Sequence, residues 1–231
     1  ERLAALQDYD AYLARLEKQT AEKERELEGL CEEASVIRKR YAEVLCAKIR
    51  EHLIDLNFLD VEFELEFDRI SGYTSGGFDD AEFVISTNPG ESLRPLAKIA
   101  SGGELSRIML AIKTVLADKD QIETVIFDEI DVGISGRTAQ KVSEKMMLIG
   151  RSRQVICITH LAQIAAMADT HFRIEKQVVD GGTRTEIRRL TEAESVEELA
   201  RILGGAEITD AVFQNASEMK ELAGNKKSQT R

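Results

Sequence analysis

The first fifty residues of the chain repeat with a period of seven. Leu6, Leu13, Thr20, Leu27, Ala34 and Tyr41 form one row, and Tyr9, Leu16, Lys23, Leu30, Ile37 and Val44 form a second, offset by three. Two such rows make the a/d seam of a heptad repeat. A helix of ~50 residues is about 75 Å long. A seam that narrow on a helix that long needs a partner helix, so a coiled-coil arm is expected over residues 1–56. The plainer alternative is a long amphipathic helix lying on its own domain. Thr20 and Lys23 interrupt the seam, and Gly29 weakens the helix by ~1 kcal/mol relative to Ala. The stretch is charge-balanced, with ten basic and eleven acidic side chains in residues 1–50.

After Asn57 the period changes. Val61-Glu62-Phe63-Glu64-Leu65-Glu66-Phe67 alternates strictly, which predicts a half-buried strand. Ser71 to Gly77 is turn-rich, Glu82 to Ser86 reads as another strand, and Pro89, Gly90 and Pro95 mark a loop. The pattern then becomes α/β. Helices are predicted over Ser101–Leu116, Gly136–Leu148 and Leu161–Ala168. Strands are predicted over Glu123–Phe127, read as buried, and Gln154–Ile158. Phe172–Val179 and Thr185–Leu190, joined by Asp180-Gly181-Gly182, predict a hairpin. Two terminal helices, Ser195–Leu203 and Glu207–Leu222, precede a tail, 224–231, expected to be flexible.

Composition narrows the classes. The 231 residues allow one large or two small domains. The net charge of −11, from 31 basic and 42 acidic residues, argues against a chain built mainly to coat nucleic acid. No run of ~18 apolar residues occurs, so no membrane span is expected, and Glu1-Arg2-Leu3-Ala4 does not read as a signal peptide. Cys31, Cys46 and Cys157 are far apart and odd in number, and the histidines are His52, His160 and His171. Neither a disulfide scaffold nor a zinc module is expected, and reduced thiols of a cytoplasmic protein are the simplest reading.

The chemistry concentrates between residues 101 and 160. Val125-Ile126-Phe127-Asp128-Glu129 is an apolar strand that ends in two carboxylates, where a parallel strand of an α/β fold places ligands. A first carboxylate there can hold Mg²⁺, and a second can orient and deprotonate a water attacking a phosphate. An acidic turn after a strand is the bland alternative. Upstream, Ser101-Gly102-Gly103-Glu104 opens a helix, whose free N–H groups and dipole favour an anion. An ordinary capping box would use the same Ser and Glu. Downstream come Asp131 and, at the end of the next strand, His160, which can sense a γ-phosphate; a lone His is more often structural.

In this order and spacing the motifs resemble the second half of an ABC-type ATPase head. The longer runs Leu96–Ala111, Phe127–Arg137 and Thr159–Ala165 look like the RecN family, bacterial SMC-like proteins of double-strand break repair and recombination after DNA damage. The resemblance covers nearly the whole chain. It implies the C-terminal lobe of an SMC-type P-loop head over 57–223, carrying a long coiled-coil helix. It implies ATP and Mg²⁺ as the nucleotide and cofactor. Ser101, Gly102, Gly103 and Glu104 would form the signature motif that binds the nucleotide of a partner head. Asp128 would hold the metal, Glu129 would activate water, Asp131 would form the D-loop and His160 the H-loop switch. The implied partners are a second copy through heads and coiled coil, the N-terminal half of the same protein, and double- or single-stranded DNA. The implied location is the bacterial nucleoid.

One part of the pattern is absent. A P-loop needs Gly-x-x-x-x-Gly-Lys-Ser/Thr, and Gly72 to Gly77 is followed by Phe78-Asp79 instead. In the family the P-loop precedes the arm, so the chain is expected to be the C-terminal portion of a longer protein, inactive alone. Two other readings stay open: another SMC-like chromosome-organising head, and a coiled-coil assembly module without ATP turnover. Arg38-Lys39-Arg40 and Arg188-Arg189 are short basic clusters of the kind that usually form solvated faces.

Overall fold

Helix α1 runs from Arg2 to Asp55 in the computed structural model, about 80 Å at 1.5 Å per residue. The structure describes residues 2–99, 101–117, 119, 121–179, 182–205 and 207–229, with the side chains of 2–8 and 178–179 outside the description. The side chain at seam position Leu6 and the expected turn at Asp180-Gly181 therefore lie outside it.

The lower half of α1 is anchored through a row the heptad does not contain. Cys31, Ser35, Ala42, Cys46, Ile49 and Leu53 are all buried. They step by four, seven, four, three and four, so they share one helix face. That face lies against a hairpin of β1 (Glu62–Thr74) and β2 (Gly77–Ser86), paired antiparallel from Glu62↔Ser86 to Arg69↔Asp79. The heptad rows stay on the surface: Leu30 is 58%, Ile37 56%, Tyr41 65% and Val44 52% exposed. The second of the two expectations for this helix, that it lies on its own domain, holds for part of its length. Its lower half lies on its own domain, and its seam is uncovered among the described residues.

The end of α1 is a Schellman turn. Asn57 takes φ 73°, Asn57 N–H donates to Ile54 O at 3.1 Å, and Phe58 N–H reaches Leu53 O at 3.1 Å. Asn tolerates the left-handed conformation that this motif requires. The turn drops Phe58 into the core beside Leu53 and Leu56, both fully buried.

The glycine-rich stretch that fails as a P-loop closes the β1–β2 hairpin. Gly77 takes φ 98°, and a Cβ there would sit 3.4 Å from Cys31 Sγ. Asp79 accepts from Ser35 Oγ and from Arg38 Nη1, each at 2.7 Å. Strand β3 (Arg94–Pro95) adds to the β2 edge.

Helix α2 (Gly102–Val115), strand β4 (Thr124–Phe127), helix α3 (Gly136–Gly150) and strand β5 (Gln154–Cys157) follow, with β4 and β5 parallel and in register at Phe127↔Cys157. One core joins the root of α1 to β1, β2, α2, α3 and β4. A buried ammonium holds the seam between α1 and α3: Lys145 Nζ lies 2.6 Å from His52 Nδ1 and 2.9 Å from Asp55 Oδ2. Helix α4 (Ala162–Ala166), the hairpin of β6 (Phe172–Val179) and β7 (Gly182–Arg189), and helices α5 (Glu192–Gly204) and α6 (Asp210–Gln229) complete the chain. A second, alanine-rich core joins α4, α5 and α6.

Two expectations change. Strand β4 is covered on one face only: Phe127 is 4% exposed but Ile126 is 65% exposed. Among the described residues its sheet has two strands, and one face of it is bare. The final helix also runs past Leu222 to Gln229. Lys226 reaches Glu144 there, and Lys227 meets Asp169 at 2.7 Å. No helix among the described residues is long and apolar enough to cross a membrane.

Candidate nucleotide site

Strand β4 delivers Asp128 and Glu129 to the surface at its C-terminal end, both exposed. The chain turns sharply here. Glu129 takes φ 56°, an uncommon conformation for a side chain without a short polar group. Asp128 Oδ1 steadies the turn by accepting from Glu129 N–H at 2.9 Å. Ile130 then plunges into the core, fully buried.

Helix α2 starts against this turn. A Cβ on Gly102 would collide with the Glu129 carboxylate, and one on Gly103 would lie 3.0 Å from Val132 Cβ and 3.1 Å from Glu129 O. Glycine at both positions is what lets a helix N-terminus approach so closely. Ser101 caps the helix through a long 3.4 Å bond from Glu104 N–H. Its hydroxyl is exposed. Two further side chains of α2 clamp the loop: Ser106 Oγ donates to Asp128 O and Arg107 Nη1 donates to Val132 O, both at 2.8 Å.

Asp131 joins the loop to the end of β5. Its Oδ2 accepts from Thr159 Oγ1 and from His160 N–H, each at 2.7 Å. His160 thus meets the cluster through its backbone, and the residue is exposed. Behind the site, burial pushes the Cys157 thiol up to about 12, with Asp131 and Asp128 adding to the effect. Such a shift keeps the thiol protonated at neutral pH.

Ser101, Gly102, Gly103, Asp128, Glu129, Asp131 and His160 therefore come together on one rim. Glu104 lies in the first turn of α2, where its N–H meets the Ser101 hydroxyl and its charge favours the Arg107 cation. Sequence reasoning missed Ser106, Arg107 and Thr159. Arg107 had a legible signal: it shares a helix face with Gly103, Leu110 and Ala111, all buried, and an arginine in a core row is a polar group with an assigned contact.

The donor set fits Mg²⁺. Two exposed carboxylates supply hard oxygens, and no group of three or more His, Cys, Asp or Glu among the described residues could cage a metal. Magnesium is commonly held this way, by one or two carboxylates completed by water and phosphate.

Solved structures similar to this chain are SMC head domains. One, an Smc head with a coiled coil and joint from Pyrococcus yayanosii, aligns with a TM-score of 0.49 and 21% identity over 69% of this chain and 29% of that one. No family model matches the chain. Among curated proteins, the DNA repair protein RecN of Halalkalibacterium halodurans is 43% identical over 227 residues, 96% of this chain and 40% of that protein. RecN of Bacillus subtilis is 38% identical over 243 residues, 99% of this chain and 42% of that protein. The chain spans about two fifths of the length of these relatives. Over that portion this chain is similar to RecN along nearly its whole length.

Proposed function

We propose that the chain is the signature-bearing half of an SMC-like ATPase head that acts in DNA double-strand break repair and recombination. The observation that carries this reading is the contact of α2's glycine start with the Glu129 turn. A helix N-terminus with an exposed serine hydroxyl is an anion site, and it sits beside two exposed carboxylates. A module kept only for assembly has no use for that juxtaposition.

In this reading one nucleotide is shared between two heads. The P-loop of one copy holds the ATP, and Ser101 with the N–H groups of Gly102 and Gly103 of the other receives its γ-phosphate. Asp128 would hold Mg²⁺, which supplies charge neutralisation on the phosphates. Glu129 takes a proton from the attacking water. Asp131 holds His160 at the rim, and the imidazole contacts the γ-phosphate. The bare face of the β4–β5 sheet is where the P-loop lobe packs, since parallel sheets are normally covered on both sides. The exposed seam of α1 takes a second helix in a coiled coil. Hydrolysis releases the heads, and the arm transmits that change to DNA. This chain alone, without a P-loop, does not turn over ATP.

The test is Glu129→Gln in a full-length protein that carries this chain. General-base loss typically lowers the rate by ~10²–10⁴, so steady-state ATP turnover should fall by that factor with ATP binding retained. Unchanged turnover would remove Glu129 from the mechanism.

A further inference from the structure

Arg107 is buried to 8% exposure in the middle of the main core's rim. Burying a guanidinium costs stability, and an apolar side chain of similar volume often does better. Two contacts hold it, and one of its nitrogens is left unsatisfied. Nη1 holds Val132 O at 2.8 Å. The guanidinium carbon lies 5.4 Å from the centroid of the Phe58 ring, within cation–π reach. Its Nε is buried without a hydrogen-bond partner, which is a penalty an apolar replacement would avoid.

The two partners belong to different parts of the fold. Phe58 is set by the Schellman turn that ends α1, through its N–H bond to Leu53 O at 3.1 Å. Val132 directly follows Asp131, and its N–H closes the Glu129 turn by bonding Glu129 O at 3.1 Å.

We infer that Arg107 is a positioning residue that couples the root of the α1 arm to the loop carrying Glu129 and Asp131. A tilt of α1 moves Phe58. The guanidinium follows the ring face, and the Val132 carbonyl follows the guanidinium. The loop is thereby set by the arm, and the arm by the loop. The mechanical part of this coupling stands on geometry alone; its effect on turnover rests on the ATPase reading proposed above.

Amide exchange of the 231-residue chain tests the mechanical part. In Arg107→Met, the amides of Val132 and Ile134 should exchange about tenfold faster, the loss expected for one charge-assisted hydrogen bond. Amides in α3 should be unchanged. Arg107→Lys, which keeps the cation, should recover much of the protection. Phe58→Leu should loosen the same two amides from the arm side, and the double variant should exceed Arg107→Met alone by little, because coupled residues are not additive. Unaltered exchange at Val132 and Ile134 would overturn the inference. So would an equal rise across α2 and α3, or full additivity of the two substitutions. In a full-length protein, Arg107→Met should lower kcat about tenfold while KM for ATP stays within about twofold; a rise in KM at constant kcat would contradict the coupling. A full-length protein in which Glu129→Gln changes nothing would sink the ATPase reading and leave the exchange result to stand on its own.

Discussion

The adjacent glycines that open α2 meet different neighbours, so their substitutions should behave differently. At Gly102 an added methyl meets the far end of the flexible Glu129 side chain. At Gly103 it meets Val132 Cβ at 3.0 Å and two backbone carbonyls at 3.1 and 3.2 Å. Overpacking against groups that cannot swing away costs about 1–3 kcal/mol, partly offset by the ~1 kcal/mol helix-propensity gain from Gly to Ala. Gly103→Ala should therefore destabilise the chain by up to about 2 kcal/mol in urea unfolding. Gly102→Ala should leave stability unchanged or slightly higher, yet lower the ATP turnover of a full-length protein by displacing Glu129. Equal stability losses at the two sites would contradict the contacts described. A second residue-scale effect concerns pH. Burial, then the Lys145 ammonium, holds the His52 imidazole below its ordinary range; burial and Lys220 do the same to His171. The unfolded chain then binds protons more readily than the folded one. Their contribution is complete above the unfolded value of ~6.5 and is lost as pH falls below it. Unfolding free energy should drop between pH 7.5 and 5.5. His52→Asn, which keeps an acceptor for Lys145 but cannot charge, should flatten part of that slope; an unaltered slope would exclude His52 as a source.

At the scale of elements, the β1–β2 hairpin acts as a splint on α1. Asp79 is its main fastener, 6% exposed in its side chain and bound to both Ser35 and Arg38. Arg69 adds a stack over Phe78 at 4.3 Å and an ion pair to Glu28 at 2.7 Å. Asp79→Ala removes a charged acceptor from a buried hydroxyl, at a cost of about 1–3 kcal/mol. Amides of α1 between residues 28 and 40 should then exchange faster, while the root near Leu53 stays protected; uniform protection along the helix would mean the hairpin supports nothing. That the helix could lie on its own domain was one of the two expectations, but the row that docks was not legible in the sequence. The heptad rows are strongly apolar and announced themselves. The docking row begins Cys31, Ser35, Ala42, small or polar residues that periodicity does not flag as core. The β4 and α2 motifs were legible because an apolar strand ending in carboxylates and a Ser-Gly-Gly-Glu helix start are set by local rules. Whether β4 was buried on one face or two was not, because that depends on how many strands join it. The end of α6 was missed because Gly224 reads as a stop, whereas lysine contacts to Glu144 and Asp169 carry the helix on to Gln229.

For the whole molecule, the −11 net charge looked unfavourable for a protein of nucleic acids. The similarity to RecN changes its meaning. Only one charge of that excess falls on residues 1–50, so the acidity belongs to the lobe, and on the proposed account it limits where DNA can approach. Two large surfaces are uncovered at once: the seam of α1 and the outer face of the β4–β5 sheet, where Ile126 is 65% and Ile156 43% exposed. On the proposed account these take a second helix and the P-loop lobe. The α2 rim is left for a second head. The central claim is that ATP joins two heads through the signature helix. Sedimentation of a full-length protein carrying Glu129→Gln, with and without Mg-ATP, tests it most directly. The account predicts a nucleotide-dependent doubling of mass that disappears when Ser101→Arg is added. Assembly that ignores ATP, or that survives Ser101→Arg unchanged, would contradict it.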